Sequence, residues 1–440
     1  MESLHEKTDV VVVGGGLAGL TAACYLAQAG VAVTLFEKAS SLGGRAATSY
    51  HEGYAFNRGI HALYCGDATE QVLQDLGIKY SGQSPKKVHV LDRGRLYLFP
   101  SDAGSLMRSN LLDVRDKLEL IRLFAALPRL NAREMARVSV QEWLNQTFKR
   151  PRVRQLMTAF AHTNVYSAAL DLVSAEVNIH KLQLALKHPT IYIDGGWQTL
   201  VEGLRTKAEK AGAHIVSGTR VESVEQQDGR VQGVRLRDGS TVQASAVILA
   251  TTPQDAAKLV DSPPLRRIVD ALIPAQVACL DVALRRLPDP QHAVVLDMER
   301  PRFFSTQSLY ARVAPEGGAL LHAFKQLDPT HPTDPREDER DLEDLLDTVQ
   351  PGWRDVVVRR FFLPHIEAVG MLPTAGGGGY AGRPGPRVPG LANLYLAGDW
   401  IGEGFLSDPS MGSARQVAQI LLQNGSLTAE KKATIERAQR

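Results

Sequence analysis

Gly14-Gly15-Gly16-Leu17-Ala18-Gly19 carries glycine at the first, third and sixth places of six. That spacing suits a phosphate. Gly14 permits a tight turn, Gly16 lets an anion approach the main chain, and Gly19 lets a helix pack closely on a strand. The free N–H groups at the start of the helix then point at the anion. Glu37 stands eighteen residues past Gly19, where a carboxylate takes a ribose hydroxyl. An acid there disfavours a 2′-phosphate, so the pattern reads as a dinucleotide site other than NADP, and spacing does not separate NAD from FAD. Further on stand Leu42-Gly43-Gly44-Arg45-Ala46, then Gly53-Tyr54-Ala55-Phe56-Asn57-Arg58-Gly59-Ile60-His61. A guanidinium such as that of Arg45 matches phosphate oxygens. Near the other end comes Leu394-Tyr395-Leu396-Ala397-Gly398-Asp399-Trp400.

The elements around these residues form a β-α-β unit. Val10–Val13 is a β-branched run, as in a strand buried on both faces of a parallel sheet. A helix follows from about Leu17 to Ala29, Gly30 ends it, and Val31–Phe36 is the second strand. From about Leu91 to His188 the chain reads as a mostly helical lobe, rich in Leu, Arg and Ala. Beyond it, Asp228-Gly229 and Asp238-Gly239 mark two hairpin turns between Val221 and Ala250. Strands and helices mix from Pro253 to Pro373, with an acidic, solvated stretch over Glu337–Asp347. The last helix is expected over Ser413–Leu422, and the tail after Gly425 is polar.

Composition removes several classes of function. Of 440 residues 44 % are hydrophobic and 22 % charged, enough to bury a large core in two or three lobes. Fifty Lys+Arg against 48 Asp+Glu leave +2, which offers nucleic acid no basic surface. Three distant cysteines, Cys24, Cys65 and Cys279, suit a reducing, cytoplasmic setting and form neither a disulfide framework nor a metal site. Val10–Ala27 is an apolar run of membrane-spanning length, but its glycines and valines read as strand, turn and helix. No H-E-x-x-H, C-x-x-C or G-x-S-x-G occurs, and Gly376–Gly379 is a flexible loop with no second nucleotide pattern around it.

The ordered set of Glu37, Gly43-Gly44-Arg45, Gly53 to Gly59, Gly195-Gly196-Trp197 and Gly398-Asp399 resembles the flavin-containing amine oxidase and phytoene desaturase superfamily. The resemblance implies a doubly wound α/β, Rossmann-like FAD-binding domain (residues 1–90, 186–260 and 375–440). A second, mixed α+β substrate-binding domain is implied over 91–185 and 261–374. Carried over by position, Gly14, Gly16, Leu17, Ala18 and Gly19 hold the pyrophosphate, and Glu37 and Lys38 the adenosine side. Gly44 and Arg45 lie along the diphosphate and ribityl chain, and Val221 meets the adenine through its main chain. Gly398 and Asp399 bond the diphosphate or ribityl side, while Gly59, Ile60, His61 and Met411 lie near the ring. His61 is the catalytic candidate, against the plainer reading of a buried histidine bonded to main chain. With no cysteine near Gly398-Asp399, the FAD is non-covalent.

Two departures matter. Asn57 stands where members often carry Asp, and Ala278, in Ile273-Pro274-Ala275-Gln276-Val277-Ala278, stands where amine oxidases place a lysine. Lys325 lies too far along the chain to align there. The expected reaction is therefore hydride removal from an apolar, isoprenoid or carotenoid-like substrate, with oxygen or a quinone as acceptor. Amine oxidation is the alternative, and a non-catalytic prenyl-binding chaperone of the same fold is the third. Oligomeric state stays open, as does peripheral contact of Leu118–Leu130 with a bilayer.

Overall fold

The computed structural model describes residues 8–423, and the polar tail after Gly425 lies outside them. The fold is α/β with a second, mixed lobe. Strand β1 (Thr8–Val13) is the axis of the first sheet. Val10 and Val12 feed the core on one face, and Val11 and Val13 feed the core on the other, as the two-residue period of a strand requires. Helix α1 (Leu17–Gln28) follows, then strand β2 (Val33–Glu37), parallel to β1.

The sheet runs in the order His214–Ser217, β2, β1, Thr241–Leu249, Arg230–Leu236, Val221–Gln227. Leu394–Leu396 pairs in parallel with the end of Thr241–Leu249. The two Asp-Gly turns form as expected, with Asp228 and Gly229 both at positive φ. Helix α1, the helix Gln198–Lys210 and the last helix cover one face through Leu20, Leu200, Leu204 and Val417. A Cβ on Gly19 would stand 1.9 Å from the Gly14 carbonyl oxygen, so only glycine lets α1 sit this close to the turn.

The second sheet has seven strands, in the order Val357–Val369, Ala275–Leu284, Ala319–Gln326, Arg302–Thr306, Val294–Asp297, His89–Asp92, Arg95–Leu98. One face packs on the helix Pro335–Val349 through Leu342, Leu345 and Leu346. The other packs on the helical lobe, where Val277, Cys279 and Phe324 meet Leu156, Val177 and Leu182. No helix among the described residues is long and apolar enough to cross a membrane.

Four expectations are corrected. The helical lobe begins at Ala103, because His89–Leu98 is a hairpin that turns on Arg93 and Gly94, both at positive φ. The last helix begins at Ser407; Pro409 is its third residue, inside the first turn, where no main-chain donor is needed. Gly376–Gly379 is held rather than loose, since the Tyr380 N–H donates to Glu176 Oε2 at 2.9 Å. The acidic stretch is only partly solvated: Asp338 is fully buried and Asp341 nearly so.

Those two carboxylates anchor the helix to the sheet. Lys325 Nζ lies 2.9 Å from Asp338 Oδ1 and 3.0 Å from Asp341 Oδ2. Arg302 donates to Asp341 Oδ1 at 2.8 Å and to Asp297 Oδ2 at 2.9 Å. Burial alone would raise the Asp341 carboxyl, but Arg302, Lys325 and Arg300 outweigh it and hold it below its ordinary 3.8. Its stabilisation is therefore complete above that value and lost as pH falls through the lower folded one. Lys325→Met leaves Asp338 buried without a cation and should destabilise the fold by about 3–5 kcal/mol. Chemical denaturation from pH 7 to pH 3 checks both the loss and a flatter acid limb in the variant.

Candidate functional site

A groove of about 570 Å³ runs along the C-terminal ends of β1 and β2. Gly14, Gly16, Leu17 and Ala18 line one wall, with Glu37, Lys38, Gly44 and Arg45 beside them. Val221, Gly398 and Asp399 close it, although 176 or more positions separate them from Arg45. At the mouth of α1 no side chain caps the helix and no acid stands in its first turn. A Cβ on Gly16 would meet only the Gly43 carbonyl oxygen, at 3.8 Å, so the space in front of those N–H groups is open. An uncapped, glycine-lined helix start is what a pyrophosphate needs.

Glu37 is fixed before any ligand arrives. The Gly15 N–H donates to Oε2 at 2.7 Å and the Ala39 N–H to Oε1 at 2.8 Å. The Thr219 N–H donates to the Glu37 carbonyl oxygen at 3.0 Å, and the Gly218 N–H to that of Ala39 at 2.8 Å. These bonds bring the start of Val221–Gln227 to the same end of the groove. Lys38 lies at the rim, its Nζ 2.6 Å from Asp255 Oδ2.

At the groove's other end Arg45 Nη2 pairs with Asp399 Oδ1, and Nη1 donates to the Glu367 carbonyl oxygen at 3.2 Å. Asp399 Oδ2 accepts the Gly370 N–H at 2.6 Å. Burial would raise the Asp399 carboxyl, but Arg45 and the Gly370 N–H hold it below the usual carboxylate value. Burial does raise Glu367, against the pull of Arg45. The expected guanidinium fork thus grips Asp399 and Glu367, leaving Nε–H and one Nη2 hydrogen of five donors for a phosphate.

Past this knot a chamber opens, lined by Arg45 and Asp399 again and by Gly59, Ile60, His61, Trp197, Val277 and Cys279. His61 Nδ1 donates to the Gly59 carbonyl oxygen at 3.0 Å, which makes Nε2 the acceptor of the neutral ring. Its ring meets Trp197 edge-on at 5.0 Å. Burial lowers its pKa from 6.5, against the pull of the Gly59 carbonyl. The ring is thus both main-chain bonded and part of the chamber lining. The Asn57 side chain holds structure here, accepting from Thr48 Oγ1 at 2.7 Å and the Trp197 N–H at 3.0 Å.

Two placements differ from expectation. Met411 is fully buried in the core, and its side chain lines neither groove nor chamber, because the helix that carries it starts six residues early. Ala278 faces the helix Pro335–Val349; Val277 and Cys279 are the residues of that strand on the chamber. Lys325 is remote from the chamber, bound to Asp338 and Asp341. Burial pushes the Cys279 thiol well above its ordinary value, so it is no nucleophile at neutral pH.

A second chamber continues past Ile60, Ala62, Tyr64 and Tyr166, which line both. Its wall is largely apolar, with Val88, Phe160, Leu184, Leu296, Phe303 and Phe324. Tyr64 and Tyr166 meet across the neck, Oη to Oη, at 3.1 Å. Sequence reasoning missed Glu367, Tyr166 and this chamber, since each rests on contacts across a hundred positions or more. Arg58, which lines groove and first chamber alike, sat unread inside the Gly53–Gly59 run.

Residues 17–422 match the family described as flavin containing amine oxidoreductase. A 4,4′-diapolycopen-4-al dehydrogenase of Metabacillus indicus is 23 % identical over 90 % of this chain and 93 % of its own length. A phytoene desaturase of Fusarium fujikuroi is 23 % identical over 55 % of this chain and 49 % of its own. Over the desaturases, then, the match spans about half of the relative's length or less. In fold, a crystal structure of an oxidoreductase from Methanosarcina mazei superposes with a TM-score of 0.76 at 19 % identity, covering 94 % of this chain and all of the other. With a groove running from the glycine turn to Asp399, the chain belongs to the flavin-containing amine oxidoreductase family.

Proposed function

We propose that the protein dehydrogenates an apolar substrate, of isoprenoid or carotenoid-like build, held in the second chamber and reaching through the tyrosine neck to the first. One observation carries the reading. Among the described residues lining the second chamber there is no carboxylate, and its one lysine or arginine is Lys181. An ammonium substrate would find no carboxylate in that wall to pair with, which counts against amine oxidation. FAD, when bound, would supply the acceptor for both the hydride and the proton lost from neighbouring C–H bonds as the double bond forms. The desaturase names among the relatives support the same substrate class.

The chain's own residues then divide the work. Gly14 to Gly19 and the start of α1 take the pyrophosphate, Glu37 the adenosine ribose, and the Val221 main chain the adenine. Arg45 and Asp399 hold the middle of the cofactor, and Gly59 to His61 with Trp197 wall the ring. At Met411 only the main chain is left for that role. In this reading 1–90, 186–260 and 375–440 bind FAD, and 91–185 with 261–374 bind substrate. No lysine lines the first chamber among the described residues, so reoxidation by oxygen is slow and a quinone is the better acceptor.

A stripe on the helical lobe suits delivery of such a substrate from a bilayer. Met107, Val114, Leu118 and Ile121 are between 47 % and 73 % exposed, and Arg108, Arg115 and Arg122 stand exposed beside them. Apolar side chains flanked by cations are what an interfacial helix presents to anionic lipid.

Four outcomes check this reading. Glu37→Gln and Arg45→Ala should each weaken FAD retention about tenfold or more in equilibrium dialysis; full retention in both contradicts the assignment. His61 stays neutral above pH 6.5, so anaerobic flavin bleaching should show no inflection from it between pH 6.5 and 8, and His61→Gln should not shift that profile. Reduced protein in air-saturated buffer should recover its blue absorbance slowly, in minutes rather than seconds. Val114→Asp with Leu118→Asp should abolish co-sedimentation with phosphatidylglycerol vesicles while leaving bleaching by a soluble apolar substrate intact.

A further inference from the structure

The second chamber contains one feature that an apolar substrate alone does not use. Lys181, on the helix Ala175–Ala185, is 4 % exposed and lines the chamber. Its Nζ lies 3.5 Å from Asp408 Oδ2 and 4.6 Å from the centre of the Tyr64 ring. At those distances it is ion-paired, yet no hydrogen bond is made by any of its three donors. Asp408 is fixed from elsewhere, its Oδ1 accepting the Thr69 N–H at 2.9 Å. A buried ammonium without a hydrogen-bond acceptor is costly, and the side chain that carries this one lines a chamber.

We propose that Lys181 determines specificity by donating a hydrogen bond to a neutral oxygen, a hydroxyl or carbonyl, borne by an otherwise apolar substrate. The charge balance selects neutral over anionic. Lys181 and Asp408 cancel, so a carboxylate would add an unbalanced negative charge inside an apolar wall, whereas a neutral acceptor satisfies a donor and adds none. The neck offers a second contact. Of the two hydroxyls of Tyr64 and Tyr166, one donates to the other, which leaves one O–H proton for the same ligand. The substrate oxygen would lie on the Tyr64 side of the second chamber, with the hydrocarbon spread against Phe160, Phe303 and Phe324. This rests on the apolar-chamber reading and sharpens it.

The test titrates dodecane, dodecanol and dodecanoate into FAD-loaded protein and reads the change in flavin absorbance. Dodecanol should bind about tenfold tighter than dodecane, the increment of a hydrogen bond to a charged group, and dodecanoate weaker than dodecanol. Lys181→Met removes the donors but strands Asp408, so the pair Lys181→Met with Asp408→Asn is measured beside it. In that double variant dodecanol should fall to the affinity of dodecane, with dodecane itself unchanged; Lys181→Arg should keep the preference. Equal binding of dodecane and dodecanol to the native protein overturns the role of Lys181 and leaves the apolar chamber standing. Tightest binding of dodecanoate overturns the choice of a neutral ligand. Failure of all three to bind removes the chamber reading, and with it this one.

Discussion

Asp399 is a buried carboxylate, and the architecture of the site follows from how its charge is met. Arg45 pairs with one oxygen and the Gly370 N–H with the other, so three distant segments are tied at a single point. Both residues line the groove and the first chamber, so the knot forms the wall between the two. Losing one partner of such a pair strands a charge in a poorly solvated site. Nor is the arrangement a simple phosphate clamp. Arg45 is committed to protein acceptors at both Nη atoms, which leaves Nε–H and one Nη2 hydrogen for anything else. Its first task is to place Asp399, and through the Glu367 carbonyl to place the long edge strand of the second sheet against the groove.

How much of this could be read from the chain depended on the range of the interaction. The glycine turn, Glu37 and the start of α1 lie within thirty residues, and their geometry is local: turn, strand, helix mouth. Asp399 was legible because a strand and Gly-Asp step announce it. Glu367 had no such mark, being one acid in an extended run whose partner is 322 positions away. The acidic run over 337–347 shows the limit of composition. Its charges suggested solvent, but helical spacing turns Asp338 and Asp341 onto the sheet, where Lys325 and Arg302 wait. The last helix begins six residues before the expected Ser413, and Pro409 does not interrupt it, because any position in the first turn spares its missing N–H.

Sorting of charge also separates the two halves of the site. The groove holds Glu37, Asp255 and Asp399 together with Lys38, Arg45 and Arg58, so a charged, polar dinucleotide meets both signs. Beyond Tyr64 and Tyr166 the wall turns to aromatic and aliphatic side chains, with a single ion pair at its edge. A ligand with a long apolar body gains from leaving water in the second region, whereas a polar one gains only in the first. The tyrosine neck therefore marks the border between a charged region and a largely apolar one.

The strand Ala275–Leu284 explains why no lysine lines the first chamber among the described residues. Side chains alternate faces along a strand, and directly opposed residues of antiparallel neighbours share a face. Cys279 opposes Phe324, and both look toward the chambers; Ala278 opposes Lys325, and both look toward the helix Pro335–Val349. A linear alignment cannot see this parity, and a slip of one residue reverses every face. Register alone thus delivers the strand's one nearby ammonium to Asp338 and Asp341 on the outer side, where it anchors a helix. The inner side is left to Val277 and Cys279, uncharged and sealed, as an apolar reacting region requires. Bringing Lys325 inward would take a shift of the whole strand, which would bury its acidic partners without a cation and turn Phe324 out of the chamber wall.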